Sequence, residues 1–216
     1  MYLPVGILTV VTDSPITTDA PDVHQATSAE RILSTALDLF AVKGYDATAV
    51  REICEAAGIT KPTLYHFYGS KDGVFQALVG GGFLQYRAMV DAALATPGSF
   101  RDRAKLVARS LFQSASTKPL FWRFMHSVIW APPGTALPQT EPCSQFYDGV
   151  VGAFAIAAEE AVKQGELTPG PTEVRMLILM GAMSEAATGY VIAGKPELTP
   201  ELADQIIDVI IDGWRA

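Results

Sequence analysis

Apolar residues recur along this chain with the spacing of helices rather than of strands. The first residues show no such pattern. From about Ile32 almost to the last residue, apolar positions are separated by three or four residues, and this spacing is that of an amphipathic helix. No segment alternates apolar and polar residues between turn signals, so we predict an all-α protein. Glycine and proline divide the pattern into predicted helices at 28–43, 50–57, 61–67, 71–96, 99–116, 119–130, 144–164, 172–193 and 200–214.

Short polar motifs set several of these boundaries. Thr27 and Glu30 form a capping-box pattern that predicts the start of the first helix. Gly58 suits the left-handed C-terminal cap of the second helix, and Thr60 suits the N-cap of the third. The run Gly80–Gly82 is expected to soften or kink the fourth helix, because glycine is a poor helix former.

Two apolar segments, at the start of the chain and at residues 172–193, are candidates for a signal peptide and a membrane span, and both interpretations are rejected. Residues 1–26 mix Asp, Ser, Pro and Thr without periodicity, so we predict a flexible tail. The apolar start carries no Lys or Arg before Arg31, which is unlike a signal peptide. The apolar segment 172–193 contains Arg175 and Glu185, which favours a buried helix.

Composition narrows the class of protein further. Hydrophobic residues make up 49% of the chain and charged residues 18%, so it can bury a sizeable core. The formal net charge of −7 argues against a protein that coats nucleic acid by bulk charge. Cys54 and Cys143 make no disulfide framework and have no metal-type spacing, so we predict no metal, no cofactor and a reducing, cytoplasmic setting.

The strongest functional signal lies in the second and third predicted helices. Two short helices joined by a tight turn at Gly58 are typical of a helix-turn-helix, whose second helix enters the major groove of DNA. Leu64 is expected to face inward. That leaves polar side chains at the surface whose types suit phosphates and base edges, namely Arg51, Lys61, Thr63, Tyr65, His66 and Lys71.

Residues 44–78 resemble the DNA-binding domain of the tetracycline-repressor-like (TetR) family of transcriptional regulators. The resemblance rests on Gly44-Tyr45, Arg51, Ile53, Ala57-Gly58-Ile59, Thr63-Leu64-Tyr65-His66-Phe67 and Ser70-Lys71, and it covers about residues 28–78. It implies a homodimer that binds a palindromic operator and is released by a small effector. The DNA-facing positions that it implies are Arg51, Thr60, Lys61, Pro62, Thr63, Tyr65, His66 and Lys71.

The sequence also departs from the family pattern. Ala49 stands where the family usually has a hydroxyl that caps the second helix, so either Thr48 takes this role or the cap is lost. Gly73 and Val74 replace a usual charged residue and a usual leucine, which is expected to weaken the fourth helix locally. The tail has no cations for a minor-groove arm.

Domains are predicted at 27–75 for the helix-turn-helix and at 76–216 for a larger helical domain that binds the effector and dimerises. Aromatic residues concentrate at 119–154, where a cavity for a mostly apolar ligand and an ordinary aromatic core are both open interpretations. The candidate ligand residues are Phe121, Trp122, Met125, His126, Trp130, Phe146 and Tyr147. Arg101, Lys105 and Arg109 form a basic stripe, which is either a solvated face or an anion site.

The last two predicted helices combine apolar and small residues. Paired across a two-fold axis they would form a four-helix dimer interface, although an intramolecular hairpin would show the same pattern. The candidate interface residues are Leu177, Gly181, Ser184, Tyr190, Ile207, Ile210 and Trp214. Competing functions are an all-helical enzyme and a protein-interaction module that uses the aromatic cavity, but the chain lacks the common catalytic motifs.

Overall fold

The structure is a computed structural model that describes residues 23–132, 135, 137–138 and 142–214, with the backbone alone described at 23–27 and 142–147. Over these residues the chain forms nine α-helices and no strand. The helices are α1 (Val23–Lys43), α2 (Val50–Ala57), α3 (Lys61–Tyr68), α4 (Lys71–Leu94), α5 (Phe100–Thr117), α6 (Pro119–Ile129), α7 (Pro142–Lys163), α8 (Thr172–Ala193) and α9 (Pro200–Asp212). The all-α prediction is confirmed.

The predicted start of the first helix is wrong. Helix α1 begins at Val23 and not at residue 28, so Thr27 lies inside the helix and does not cap it. The segment from Val23 to Thr27 contains no glycine or proline. Nothing in it therefore prevents α1 from extending towards the N-terminus as far as Val23. Residues 1–22 of the predicted tail lie outside the described residues.

The predicted signals at α2, α3 and α4 have mixed outcomes. Gly58 has a φ of 63° at the end of α2, and the Thr60 hydroxyl accepts a hydrogen bond from the Thr63 N–H at the start of α3, as the sequence predicts. Helix α4 runs as one helix through Gly80–Gly82. The glycine run therefore lies within one helix, and the expected softening or kink stays a prediction.

The described residues divide into two compact units. The first ends inside α4 at Gly82 and also includes the described residues between 131 and 140, and the second contains the others. The N-terminal unit holds α1, α2, α3 and the first part of α4. Its core is closed by side chains with at most 3% of their surface exposed, including Ile32, Phe40, Ile53, Leu64 and Phe75. Burial of such large apolar groups is the main favourable contribution to folding of this unit.

The C-terminal unit is built around α5, which packs on α6, α7, α8 and α9. One apolar cluster joins these helices, and Phe100, Leu111, Phe112, Phe154 and Leu179 in it are at most 1% exposed. The helical content of this unit is therefore stabilised by tertiary packing more than by helix propensity.

Helices α5 and α9 are also joined by a row of ion pairs, which we call the charge zipper. It consists of Arg101, Lys105 and Arg109 on α5 and Asp204, Asp208 and Asp212 on α9. Arg101 lies 2.6 Å from Asp208 and 2.5 Å from Asp212, while Lys105 lies 2.8 Å from Asp208. The basic stripe of the sequence is thus neither a free solvated face nor an open anion site, because its cations are paired within the chain.

The charge zipper should make the stability of the C-terminal unit depend on acid. Hydrogen bonds from Arg109 lower the pKa of Asp204, and hydrogen bonds from Lys105 and Arg101 lower the pKa of Asp208. A carboxyl whose pKa is lower in the folded state stabilises the fold above its unfolded pKa, near 4, and loses that contribution as the pH falls. We expect the urea midpoint of this unit to fall as the pH decreases from about 5 to about 3.

The control is the double variant Asp204→Asn with Asp208→Asn, which should have a lower urea midpoint near neutral pH and a weaker decline in acid. An acid response as steep in this variant as in the wild type would assign the effect to other carboxylates.

Helix α8 is long and apolar enough to cross a membrane by length and composition, with a mean hydropathy of 1.5. Those criteria alone are weak evidence, because core helices meet them too. Met176, Leu179, Met183 and Ala187 of α8 are at most 1% exposed within the C-terminal unit. Arg175 is buried as well and donates from Nη1 to the Thr168 carbonyl at 2.6 Å.

A candidate nucleic-acid interface in the N-terminal unit

Helix α3 presents a polar face to solvent and an apolar face to the core. Leu64 is fully buried, whereas Lys61, Pro62 and His66 are exposed and Tyr65 is 47% exposed. An inward leucine fixes the rotation of the helix, and the positions on either side of it therefore point outward. The predicted orientation of the recognition helix is confirmed in this respect.

The N-terminal end of α3 is held by its own hydroxyl groups. Thr60 and Thr63 are joined by a hydrogen bond of 2.8 Å between their side-chain oxygens. Pro62 occupies the first turn of α3, where a backbone N–H is not needed for a hydrogen bond within the helix. A pair of hydroxyls joined in this way has one proton left to donate. This end of α3 can therefore donate to an acceptor such as a phosphate oxygen.

Helix α3 is anchored to α1 through its last residue. The Tyr68 hydroxyl donates to the Ala29 carbonyl at 3.1 Å, and burial raises the pKa of this phenol to about 12. The phenol is therefore neutral and able to donate at physiological pH. The two partners are 39 residues apart, so the local sequence pattern does not reveal this hydrogen bond.

Arg51 lies on α2 with its side chain 75% exposed and Nε 3.4 Å from the Glu55 carboxylate. An exposed pair one helical turn apart contributes only about 0.5 kcal/mol, so Glu55 is a weak competitor for the guanidinium. Arg51 is accordingly available to an external anion.

The cap of α2 differs from the expectation for Thr48. The Thr48 side chain is 1% exposed and its hydroxyl donates to the Gly44 carbonyl at 2.8 Å, so it does not cap the helix. Ala49 is the N-cap and offers no side-chain acceptor, while its N–H donates to Oε2 of Glu52 at 2.9 Å. Only this half of a capping box is present, and the spacing of Ala49 and Glu52 in the sequence could have revealed it.

Glu52 also joins α2 to α1. Its Oε1 lies 2.6 Å from Nζ of Lys43, and the bonds from Ala49 and Lys43 together lower the pKa of the Glu52 carboxyl. A carboxylate near a helix N-terminus also interacts favourably with the helix dipole. This ion pair joins α2, which carries Arg51, to the end of α1, and the sequence analysis did not predict it.

Ala49→Ser is expected to stabilise the N-terminal unit by about 1 kcal/mol, since a serine hydroxyl can accept from the first-turn N–H groups of α2. Ala49 is exposed, so the added oxygen needs no repacking. Urea unfolding followed by circular dichroism would measure the gain. Ala56→Ser, at an exposed position inside the same helix, is the control and should be slightly destabilising; equal effects of the two substitutions would contradict a missing cap.

Lys71 is placed differently from the other predicted DNA-facing residues. It is half-buried, and its Nζ donates to the carbonyls of Tyr45 at 2.9 Å and Thr48 at 3.0 Å. The ammonium also lies 4.1 Å from the centroid of the Tyr45 ring. The Tyr45 hydroxyl donates in turn to Asp72, and burial together with this bond raises the pKa of Tyr45.

The predicted ligand residues lie on α6 and α7 of the C-terminal unit. On α6, Met125 is buried, Phe121, Trp122 and His126 are half-buried, and Trp130 beyond its end is 72% exposed. The Trp122 indole N–H donates to the Ser114 hydroxyl at 3.1 Å. The side chains of Phe146 and Tyr147 lie outside the described residues.

The predicted dimer residues separate into exposed and buried sets. Leu177 is 63% exposed, and Gly181 and Ser184 are also exposed on α8, with Tyr190 and Ile210 half-buried. Ile207 and Trp214 belong to the core of this chain, at 0% and 8% exposure. The dimer prediction is thus left with exposed candidates on α8, while these two side chains are taken up by the core.

Residues 32–78 match the model of the tetR family of bacterial regulatory proteins. The HTH-type transcriptional repressor KstR2 of Mycobacterium tuberculosis (strain ATCC 25618 / H37Rv) is 38% identical over 65 residues, which are 28% of this chain and 32% of that protein. Alignments to other curated relatives span between 25% and 48% of those proteins. The chain thus aligns with less than half the length of these relatives, and the family model matches the segment that forms the candidate interface.

Solved structures show the same fold over most of the chain. FadR, a fatty acid degradation regulator from Bacillus halodurans, has a TM-score of 0.74 at 16% identity, covering 91% of this chain and 98% of its own. FadR from Bacillus subtilis in complex with stearoyl-CoA has a TM-score of 0.71 at 17% identity, covering 85% and 97%. The helix-turn-helix segment thus matches the tetR family of bacterial regulatory proteins, and the chain as a whole shares the all-helical fold of these structures.

Proposed function

We propose that this protein is a homodimeric, sequence-specific transcriptional repressor that binds a palindromic DNA operator in the cytoplasm. The observation that carries the proposal is the outward polar face of α3, with Leu64 buried beneath it, inside the segment that matches the family model. A recognition helix needs that separation of faces, because its outer side chains must reach base edges while its inner ones anchor it.

The proposed DNA contacts differ in chemistry. Lys61 can neutralise a phosphate or donate to a guanine edge, and the threonine hydroxyls can donate to phosphate oxygens. Tyr65 and His66 extend the polar face, and Arg51 supplies a cation from α2. These local groups are compatible with the net charge of −7, because affinity depends on cations near the phosphates rather than on the total.

Dimerisation is proposed through the exposed apolar row of α8. Val174, Leu177, Ile178 and Ile192 are between 47% and 63% exposed, and Gly181 lies on the same helix. Several large apolar side chains exposed on one helix are typical of an interaction site, and a small residue among them permits close approach of a second helix. A two-fold dimer would pair two copies of α3 with two half-sites.

Release from DNA is proposed to follow binding of a small, mostly apolar effector. The aromatic residues of α6 support this, together with the stearoyl-CoA bound by FadR of Bacillus subtilis, whose fold the chain shares. The half-buried Phe121, Trp122 and His126 combine apolar surface with a polar group, as small-molecule sites do.

Selection of bound duplexes from a random DNA pool tests the proposed function. The expected result is one enriched sequence with two inverted half-sites, bound with an affinity that falls steeply with salt because phosphate contacts release counterions. A lack of any enriched sequence at low salt would refute sequence-specific DNA binding. A single unrepeated half-site would refute the dimeric arrangement only.

A further inference from the structure

The Lys71 ammonium already has partners inside the N-terminal unit. Its Nζ donates to two backbone carbonyls, of Tyr45 and Thr48, and lies 4.1 Å from the centroid of the Tyr45 ring. A lysine carries three donors and no acceptor. A phosphate would therefore compete with these partners for the Lys71 donors.

Those contacts hold the turn that leads into α2. The peptide between Thr48 and Ala49 is fixed at both ends, since its carbonyl accepts from Lys71 and its N–H donates to Glu52. The same turn is closed by the bond from the Thr48 hydroxyl to the Gly44 carbonyl. Because Ala49 is the N-cap of α2, the orientation of this peptide sets the direction in which α2 leaves the turn.

We propose that Lys71 is a positioning residue for DNA binding: it orients the first turn of α2, and with it Arg51, and makes no phosphate contact of its own. This inference rests on the proposed function. Tyr45 and Asp72 complete the arrangement, because the ring lies under the ammonium and its hydroxyl is bonded to Asp72 on α4. The turn is thus tied to the start of α4 through two neighbouring residues of that helix.

Salt dependence of operator affinity separates positioning from contact. Lys71→Met removes the donors and keeps most of the side-chain volume, and we expect it to weaken binding of the selected duplex roughly tenfold. The slope of log affinity against log salt should stay at the wild-type value, whereas loss of a phosphate contact would reduce it by about 0.9. Both quantities are measured by fluorescence anisotropy of full-length protein at a temperature where circular dichroism shows it folded.

Two further variants make the test decisive. Lys71→Gln keeps N–H donors without the charge, so it should recover part of the affinity and fold if Lys71→Met does not. Lys61→Ala, at an exposed position of α3, is the matched control and should reduce the slope. A reduced slope with Lys71→Met, or wild-type affinity in that folded variant, would overturn the positioning role.

Hydrogen exchange provides a readout that does not depend on DNA. The amide of Ala49 should exchange faster in Lys71→Met than in the wild type, because the peptide is then held at one end only. Failure of the wild type to bind any duplex would refute the proposed function, while unchanged exchange at Ala49 would refute the positioning role separately.

Discussion

Gly73→Ala is expected to destabilise the N-terminal unit by about 3 kcal/mol or more, which is at the upper end for overpacking. A Cβ at Gly73 would lie 1.8 Å from the Tyr68 carbonyl oxygen and 3.0 Å from its carbonyl carbon. Both atoms are backbone at the last residue of α3, so no side-chain rotation relieves the clash. Helices α3 and α4 would have to move apart, which breaks the packing around buried Leu64 and Val74.

Operator binding should be lost together with stability in this variant, because the displaced helix is the one proposed to enter the major groove. Urea unfolding by circular dichroism and anisotropy with the selected duplex would measure the two effects. Gly80→Ala is the matched control in the same helix: nothing lies within 4 Å of the position that its new methyl group would occupy, and the substitution should stabilise α4 by up to about 1 kcal/mol. Similar urea midpoints for Gly73→Ala and the wild type would contradict the close approach of Tyr68.

Gly73 also shows where family comparison and physical reasoning diverge. The sequence pattern suggested that a glycine here weakens α4, since a charged residue is usual at this position. The structure gives glycine a steric reason, because the start of α4 approaches the end of α3 too closely for any side chain. Helix propensity is a weak prior that a close tertiary contact overrides.

Local features could be predicted from the sequence because their causes lie within a few residues. The Thr60 cap, the left-handed Gly58 and the inward Leu64 each follow from neighbours on the same or the adjacent helix. The start of α1 was misplaced for the opposite reason. A capping motif at Thr27 resembles a start signal, but a helix continues through such a motif when nothing before it breaks the helix.

Contacts between distant residues could not be predicted in the same way. Arg101, Lys105 and Arg109 are spaced four residues apart in the sequence, and so are the acidic residues of the charge zipper on α9. No local signal shows that these two helices are neighbours. Lys71 is a similar case, since its partners lie 23 and 26 residues away. The sequence shows that Lys71 is a cation, but only the fold shows that its ammonium donates to two backbone carbonyls.

Lys61→Ala combined with Tyr65→Ala is expected to weaken operator binding by about 100-fold or more, while leaving the stability of the N-terminal unit almost unchanged. Contacts to bases are worth about 1 to 3 kcal/mol each, and two of them lost together give this range. Both side chains are exposed, Tyr65 at 47%, so their removal creates no cavity. Anisotropy with the selected duplex measures the affinity, and urea unfolding checks the fold.

The single variants distinguish how each side chain acts. Lys61→Ala should reduce the salt slope, by about 0.9 if Lys61 contacts a phosphate, and affinity then falls for all duplexes alike. If Lys61 also contacts a base, the variant accepts substitutions at one operator position. Lys163→Ala, at an exposed site on α7, makes the same change of charge in the C-terminal unit and should leave binding near the wild-type value. If the double variant binds within a few-fold of the wild-type affinity, the DNA-binding surface lies on a helix other than α3. Lys61 supplies the positive charge of the exposed α3 face, and Lys61 and Tyr65 are its longest side chains.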